Sequence, residues 1–170
     1  MSVACHRGSL ADVRSRFVAV GQERNAAIVV RVTADNPLTQ PLFIDALVRA
    51  LQADHSAAYA MMDKDRVPDG SQAEAFRMQA LMDTLVADAT DYSREHVTPA
   101  LRRGNGVLVV EPPPELELAD YFVGIDTFPH YLHVNQLFDR YGDDENLLRR
   151  VIADVRQRRS SERAAPAGSQ

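Results

Sequence analysis

The stretch from Ala26 to Leu38, reading A-A-I-V-V-R-V-T-A-D-N-P-L, constrains this chain more than any other. From Ala27 to Val32 every residue except Arg31 is apolar, and β-branched side chains dominate. A strand with one wet face alternates polar and apolar residues, whereas a continuous apolar run marks a strand covered on both faces. The run stops at Thr33-Ala34-Asp35-Asn36-Pro37. Pro37 turns Asn36 away from helical dihedrals, and the Asx side chains bond local backbone, so the chain leaves the strand in a turn. Asp35 is therefore expected just past the carboxyl end of a buried strand, the edge at which open α/β sheets bind ligands.

The flanking segments alternate in type. Leu10, Val13, Phe17 and Val20 recur at helical spacing, with Ser9 suited to the N-cap and Gly21 to the end. Ser2 to His6 forms a short strand before them. After the organising strand, Pro41 fits a first helical position, and Phe43, Ile44, Leu47, Val48 and Leu51 make one apolar stripe. Ala57 to Met62 reads as a strand, Val67-Pro68-Asp69-Gly70 as a turn, Ala73 to Phe76 as a short strand and Met78 to Ala87 as a helix. A helix spans Ser93 to Arg103, with Pro99 inside it or ending its first part. Val107 to Glu111 is a strand and the prolines after it a stiff connector. Phe122 to Ile125 is a second apolar strand that also ends in an aspartate, Asp126, followed by a helix to about Tyr141. The last helix, capped by Asp143 or Asp144, presents Leu147, Leu148, Val151, Ile152 and Val155. From Arg156 the chain turns Arg-, Ser-, Ala-, Pro- and Gly-rich and reads as a solvated tail. The alternation predicts an α/β fold in one domain over residues 1–158, with a disordered tail over 159–170.

Composition narrows the function. The 170 residues suit one domain with a proper core. A net charge of −5 argues against a nucleic-acid partner. Cys5 is the lone cysteine, so no intrachain disulfide forms, which fits a reducing compartment. The N-terminus lacks the apolar core of a signal peptide, and no apolar run reaches membrane-spanning length. A cytoplasmic protein without a membrane partner is expected.

Two strands that each end in an aspartate bring Asp35 and Asp126 to one sheet edge. Such a pair of hard oxygen ligands suits Mg²⁺ that also takes substrate phosphates, and the metal then neutralises charge on a transferred phosphoryl or nucleotidyl group. A plain Asx turn after each strand is the commoner origin of this pattern. Arg94-Glu95-His96 places an acid beside an imidazole, which can orient a hydroxyl or move a proton; a solvated first helical turn is again the commoner origin. Asp69-Gly70 with Glu74 reads as a loop bringing backbone close to a ligand, or as a turn with an exposed Glu. His130 and His133 have zinc spacing with no third ligand nearby. Neither a glycine-rich phosphate loop nor a nucleophile elbow is present.

Read together, R-G-S-L-A-D-V-R-S-R-F from Arg7, V-R-V-T-A-D-N-P-L from Val30, V-P-D-G-S-Q-A-E-A-F from Val67, R-E-H-V-T-P from Arg94 and V-G-I-D-T from Val123 form a pattern. In order and spacing it resembles the cytidylyltransferase family of spore-coat polysaccharide biosynthesis proteins. Acylneuraminate and 3-deoxy-manno-octulosonate cytidylyltransferases are more distant relatives. The resemblance runs from His6 to about Tyr141. It implies a Rossmann-like nucleotide-diphospho-sugar transferase fold, with CTP and Mg²⁺ as reagents and an acidic or deoxy sugar as acceptor. In such enzymes a sugar oxygen attacks the α-phosphorus of CTP and pyrophosphate leaves. Asp35 matches the family's D-x-P-L aspartate and Asp126 its D-T aspartate, both implied catalytic metal ligands. Asp69, Glu74, Arg94, Glu95 and His96 match positions implied to shape the sugar side. A homodimer is the implied state.

The sequence also departs from that family. Relatives begin with a strand and a glycine-, arginine- and lysine-bearing loop for the CTP phosphates and base, and this chain starts beyond it. Ser71 and Gln72 replace the usual apolar and acidic residues, Phe122 a basic one, and Pro129-His130 an acidic pair. Two readings follow: a CMP-sugar-forming enzyme completed by further sequence or a complementing chain, or a truncated, inactive relative acting as a binding or partner subunit. The second rests on physics, since losing a phosphate loop removes the positioning and charge stabilisation such transfer depends on.

Overall fold

The organising apolar run forms β1 (Ile28–Arg31) in the computed structural model, which describes residues 3–164. It lies at one end of a four-stranded sheet of order β1-β3-β2-β4, with β2 at Tyr59–Met62, β3 at Glu74–Arg77 and β4 at Val107–Val110. β3 pairs antiparallel with both neighbours, setting Val30 opposite Ala75 and Tyr59 opposite Phe76. The expectation of a strand covered on both faces is corrected: β1 is half-buried along its length and pairs with β3 alone among the described strands. An apolar run reports low polarity, and the strand's place in the sheet is set by its partners.

The chain divides into two compact units built from interleaved segments, where the sequence predicts a single domain. The first takes in the chain up to Arg31, Ile44–Met61 and Glu74–Val110; the second takes in Val32–Phe43, Met62–Ala73 and the chain from Glu111 on.

The first unit holds the sheet and the helices α1 (Val13–Glu23), α3 (Met78–Ala87), α4 (Asp91–His96) and α5 (Pro99–Arg103), with most of α2 (Pro41–Ala53). Its core gathers Val18, Tyr59, Phe76, Met78, Leu81, Val97 and Leu101. Asp12, not Ser9, caps α1, accepting from the Ser15 N–H at 2.9 Å. Gly21 does not end that helix; it lets the Met78 side chain pack against the backbone. The stop is Asn25 at φ 49°, with Ala26 N–H bonded to the Gly21 carbonyl and Asn25 N–H to Gln22. That double closure with a left-handed residue satisfies carbonyls the helix leaves free. Arg14 is buried and donates to the carbonyl and hydroxyl of Thr84 in the last turn of α3, where a cation is favoured. The predicted helix over Ser93 to Arg103 is two helices, broken at Val97.

The second unit holds a 3₁₀ turn at Pro114–Leu116 and the helices α6 (Phe128–Tyr141) and α7 (Leu147–Ala164). Leu116, Val123, Leu148, Val151 and Ile152 are buried there. Residues 122–125 do not form the predicted strand. Their only strand-type pairing among the described residues is one parallel bridge, Phe122 with Asp69, and the backbone then turns to Asp35 through the Ile125 N–H. A segment that changes partner every few residues cannot build a ladder. The tail expectation is corrected for residues 156–164, which continue α7. Arg156 donates to the carbonyl of Pro114 at 2.7 Å, and Arg159 to those of Ala119 and Asp120 at 3.2 and 3.1 Å. Arginine stems that cover apolar surface while their heads bond backbone can hold a helix whose composition looks solvated. Residues 165–170 of the expected tail lie outside the described residues. So does Ser2 of the expected first strand, whose remaining residues form no strand.

Candidate functional site

Asp35 and Asp126 both belong to the second unit, and one backbone bond relates them. The Ile125 N–H donates to the Asp35 carbonyl at 2.8 Å, which sets the two aspartates on adjoining stretches of chain. Asp35 sits in the turn after β1, closed by Asn36 N–H to the Thr33 carbonyl at 3.1 Å. Asp126 directly precedes Thr127, whose hydroxyl caps α6. Both residues are exposed, and among the described residues neither carboxylate is held by a cationic side chain. Two free hard oxygen donors match Mg²⁺, which takes one or two carboxylates and fills its remaining positions with water and phosphate. The donor set fits that ion and does not fit a closed all-protein cage, since no group of three or more candidate ligands forms among the described residues. The same observation removes the zinc pairing of His130 with His133. His133 packs edge-on against Tyr121, while His130 turns toward Asp126.

Asp69 belongs to the same unit. Its N–H donates to the Tyr121 carbonyl at 2.9 Å and its carbonyl accepts from Val123 N–H at 2.7 Å. Gly70, at φ 88°, brings its backbone directly against that of Gly124. The glycine that reads in sequence as a place for a ligand to approach serves instead for approach of the 122–125 segment. A Cβ at residue 70 meets Gly124 backbone well inside contact distance and also sits at a left-handed φ. Gly70→Ala is therefore expected to destabilise the protein by about 3 kcal/mol through combined strain and overpacking, read out by urea denaturation. Asp69 also lines an open cavity of about 370 Å³, with Lys64, Asp120, Tyr121 and Phe122. Lys64 is ion-paired with Asp65 at 2.8 Å, and among the described residues neither Asp69 nor Asp120 makes an ion pair of its own.

The sugar-side residues Glu74, Arg94, Glu95 and His96 belong to the first unit, and the structure separates them. Glu74 is buried, and its carboxylate accepts from Arg31 at 2.8 Å, from the Thr98 hydroxyl at 3.0 and 3.2 Å, from the Arg102 Nε at 2.8 Å and from the Tyr59 hydroxyl. Arg31 and Glu74 are direct cross-strand partners in the register of β1 and β3. Burial alone pushes the Glu74 carboxyl up, but the Tyr59 hydroxyl and the guanidiniums of Arg102 and Arg31 outweigh it and hold it below the usual value. Burial, followed by the neighbouring carboxylate, pushes the Tyr59 phenol up. Glu74 is thus a filled packing hub and not an open ligand for a sugar.

Arg94, Glu95 and His96 all face solvent on α4. Arg94 pairs with Asp91 at 3.3 Å and the His96 ring packs on Tyr92 at 4.4 Å. None of them bonds Glu74; Thr98, two residues past His96, does. The reason is a three-residue turn at Val97, with φ 69°, ψ −56° and Thr98 N–H bonded to the His96 carbonyl at 2.8 Å. That geometry costs a β-branched residue about 1–3 kcal/mol and persists where surroundings hold it in place. Here Val97 is fully buried and Thr98 is bonded to Glu74. A sequence reading misses Tyr59, Thr98 and Arg102 because each touches Glu74 from a distant segment. The one available signal was Arg31, the only polar residue in an otherwise apolar strand.

Over 158 residues the chain is 30% identical to the uncharacterised protein MJ1063 of Methanocaldococcus jannaschii, covering 89% of this chain and 63% of that one. Over 146 residues it is 30% identical to the spore coat polysaccharide biosynthesis protein SpsF of Bacillus subtilis, covering 81% of this chain and 58% of SpsF. It therefore spans less than two thirds of the length of these relatives. A solved cytidylyltransferase from Leptospira borgpetersenii shares the fold, with a TM-score of 0.76 at 21% identity, covering 96% of this chain and 70% of that one. Residues 1–157 match the family model described as cytidylyltransferase, and with the α/β architecture above, the chain belongs to the cytidylyltransferase family.

Proposed function

We propose that this chain takes part in cytidylyl transfer from CTP to a sugar, releasing pyrophosphate and giving a CMP-sugar for surface polysaccharide or glycan biosynthesis. The observation that carries this reading is the placement of Asp35 and Asp126 on adjoining backbone, both exposed and free of cationic partners among the described residues. In the reaction an oxygen of the sugar bonds to the α-phosphorus of CTP. The bond from that phosphorus to the bridging oxygen breaks, its electron pair leaves with pyrophosphate, and the proton of the attacking hydroxyl passes to water. Asp35 and Asp126 would hold a divalent metal, which when bound would supply charge neutralisation at the phosphates. The cavity at Asp69 is large enough for a monosaccharide, and Tyr121 and Phe122 beside Asp69 and Asp120 offer the apolar and acceptor surfaces sugar rings use.

The test is CTP-dependent pyrophosphate release by the purified chain with Mg²⁺ and a panel of acidic, deoxy and amino sugars. Release that needs both CTP and one sugar class supports the reading. Mg²⁺ binding with no release, restored by adding a longer relative or a complementing chain, moves the assignment to a partner subunit. No helix among the described residues is long and apolar enough to cross a membrane.

A further inference from the structure

We infer that His130 is a positioning residue for Asp126, acting through the Asp126 backbone. The inference rests on the reading of Asp35 and Asp126 as holders of a divalent metal. Thr127 caps α6, and its hydroxyl accepts from the His130 N–H at 3.4 Å. In the usual reciprocal cap the residue at the third helical position is Glu or Gln, and its side chain returns to the backbone N–H of the capping residue. Here an imidazole holds that position and reaches one residue further. The Asp126 N–H donates to His130 Nδ1 at 3.3 Å. The ring is held on its face by Phe122, with centroids 4.4 Å apart and planes at 47°.

Consecutive backbone N–H groups are thereby pinned to different partners. Ile125 donates to the Asp35 carbonyl, and Asp126 donates to His130. These N–H groups belong to the peptides on either side of Ile125, so the two bonds fix the peptide from which the Asp126 Cα departs, and fix it relative to Asp35, while the start of α6 at Thr127 holds the other side of that Cα. The Asp126 carboxylate has no hydrogen-bonding partner of its own among the described residues, so its placement depends on the backbone beneath it. The residue type matters as well. A glutamate at position 130 returns instead to the Thr127 N–H, as in the usual reciprocal cap, and adds a third negative charge beside the pair, where it competes as a ligand. An imidazole accepting at Nδ1 carries its proton on Nε2, and it orients the aspartate without that competition. Groups that orient metal ligands are worth roughly 10–100-fold in metal affinity when removed.

The test titrates Mn²⁺ into the full chain, with and without CTP, and reads free Mn²⁺ by electron paramagnetic resonance. Wild type is compared with His130→Ala, His130→Asn, Thr127→Ala and Asp126→Asn, each checked for folding by circular dichroism. His130→Ala is expected to weaken Mn²⁺ binding about 10–100-fold. His130→Asn keeps an acceptor, Oδ1, in the place of Nδ1 and is expected to stay within about threefold of wild type. Thr127→Ala removes the other half of the cap, leaves the Asp126 N–H bond in place and is expected to bind Mn²⁺ as wild type does. Wild-type affinity in His130→Ala, with affinity lost in Asp126→Asn, overturns the positioning role and leaves the metal reading standing. Equal weakening in Thr127→Ala and His130→Ala overturns it too, since the effect is then helix fraying. If wild type binds Mn²⁺ no better than Asp126→Asn, the metal reading fails and takes this inference with it.

Discussion

Glu74→Ala is expected to lower the stability of this protein by about 3 kcal/mol, the low end of the range for removing one partner from a buried ion pair. The substitution leaves Arg31, with 19% of its side chain exposed, facing a carboxylate that is gone, and it strips the buried Tyr59 and Thr98 hydroxyls of their acceptor. Arg102 adds less, because 52% of its side chain is exposed and solvent screens it. For a chain of this length the loss corresponds to roughly 6–12 °C in melting temperature, measurable by calorimetry. Glu74→Gln tests the charge separately from the shape. The Glu74 carboxyl is held below its ordinary 4.5 in the folded state, so it contributes stability in full above that value and loses it as pH falls through the lower, folded value. The stability difference between wild type and Glu74→Gln should be constant at neutral pH and shrink toward zero in acid. A difference that stays flat to low pH would show that the carboxylate charge does not contribute.

Asp126→Asn is expected to do the opposite: large loss of activity with little change in stability. Asn keeps the size and the backbone, including the N–H bond to His130, and the position is exposed. Surface changes of this kind alter stability by less than about 0.5 kcal/mol. The carboxylate is a proposed holder of the divalent metal that would face the phosphates, and removing such preorganised charge stabilisation costs roughly 10²–10³-fold in turnover. Asp35→Asn is expected to fall in the same range, and the double variant to lose little more than either single one, since the pair acts as a unit. The measurement is CTP-dependent pyrophosphate release beside a thermal melt on the same samples. A turnover equal to wild type in Asp126→Asn would remove this residue from the reaction.

The local elements were legible because their signals lie within a few residues. Pro41 does open a helix, Met78 to Ala87 is helical over that span, and Asp35 and Asp126 each fall in a turn after an apolar stretch. The motifs that carry the family resemblance are local as well, and family membership follows from them. Other features were hidden. The strand around Ile28 looked fully covered, and it lies at the sheet end because only the fold decides which strands flank it. The R-E-H triplet looked like site residues beside Glu74, and one buried valine at positive φ sends them to solvent and Thr98 inward.

What the sequence by itself determined is the α/β class, the positions of most helices, the turns that present Asp35 and Asp126, and the family. Periodicity, proline placement and cap residues act over a single turn or strand, so they can be read in order along the chain. The tertiary structure alone decided the antiparallel pairing about β3, the division into two interleaved units, and the conversion of Glu74 from an apparent ligand into a buried hub. Those outcomes depend on partners far away in sequence: Glu74 meets Thr98 across 24 residues and Arg31 across 43. A buried carboxylate keeps its charge only where such partners converge on it, and no local pattern records that convergence.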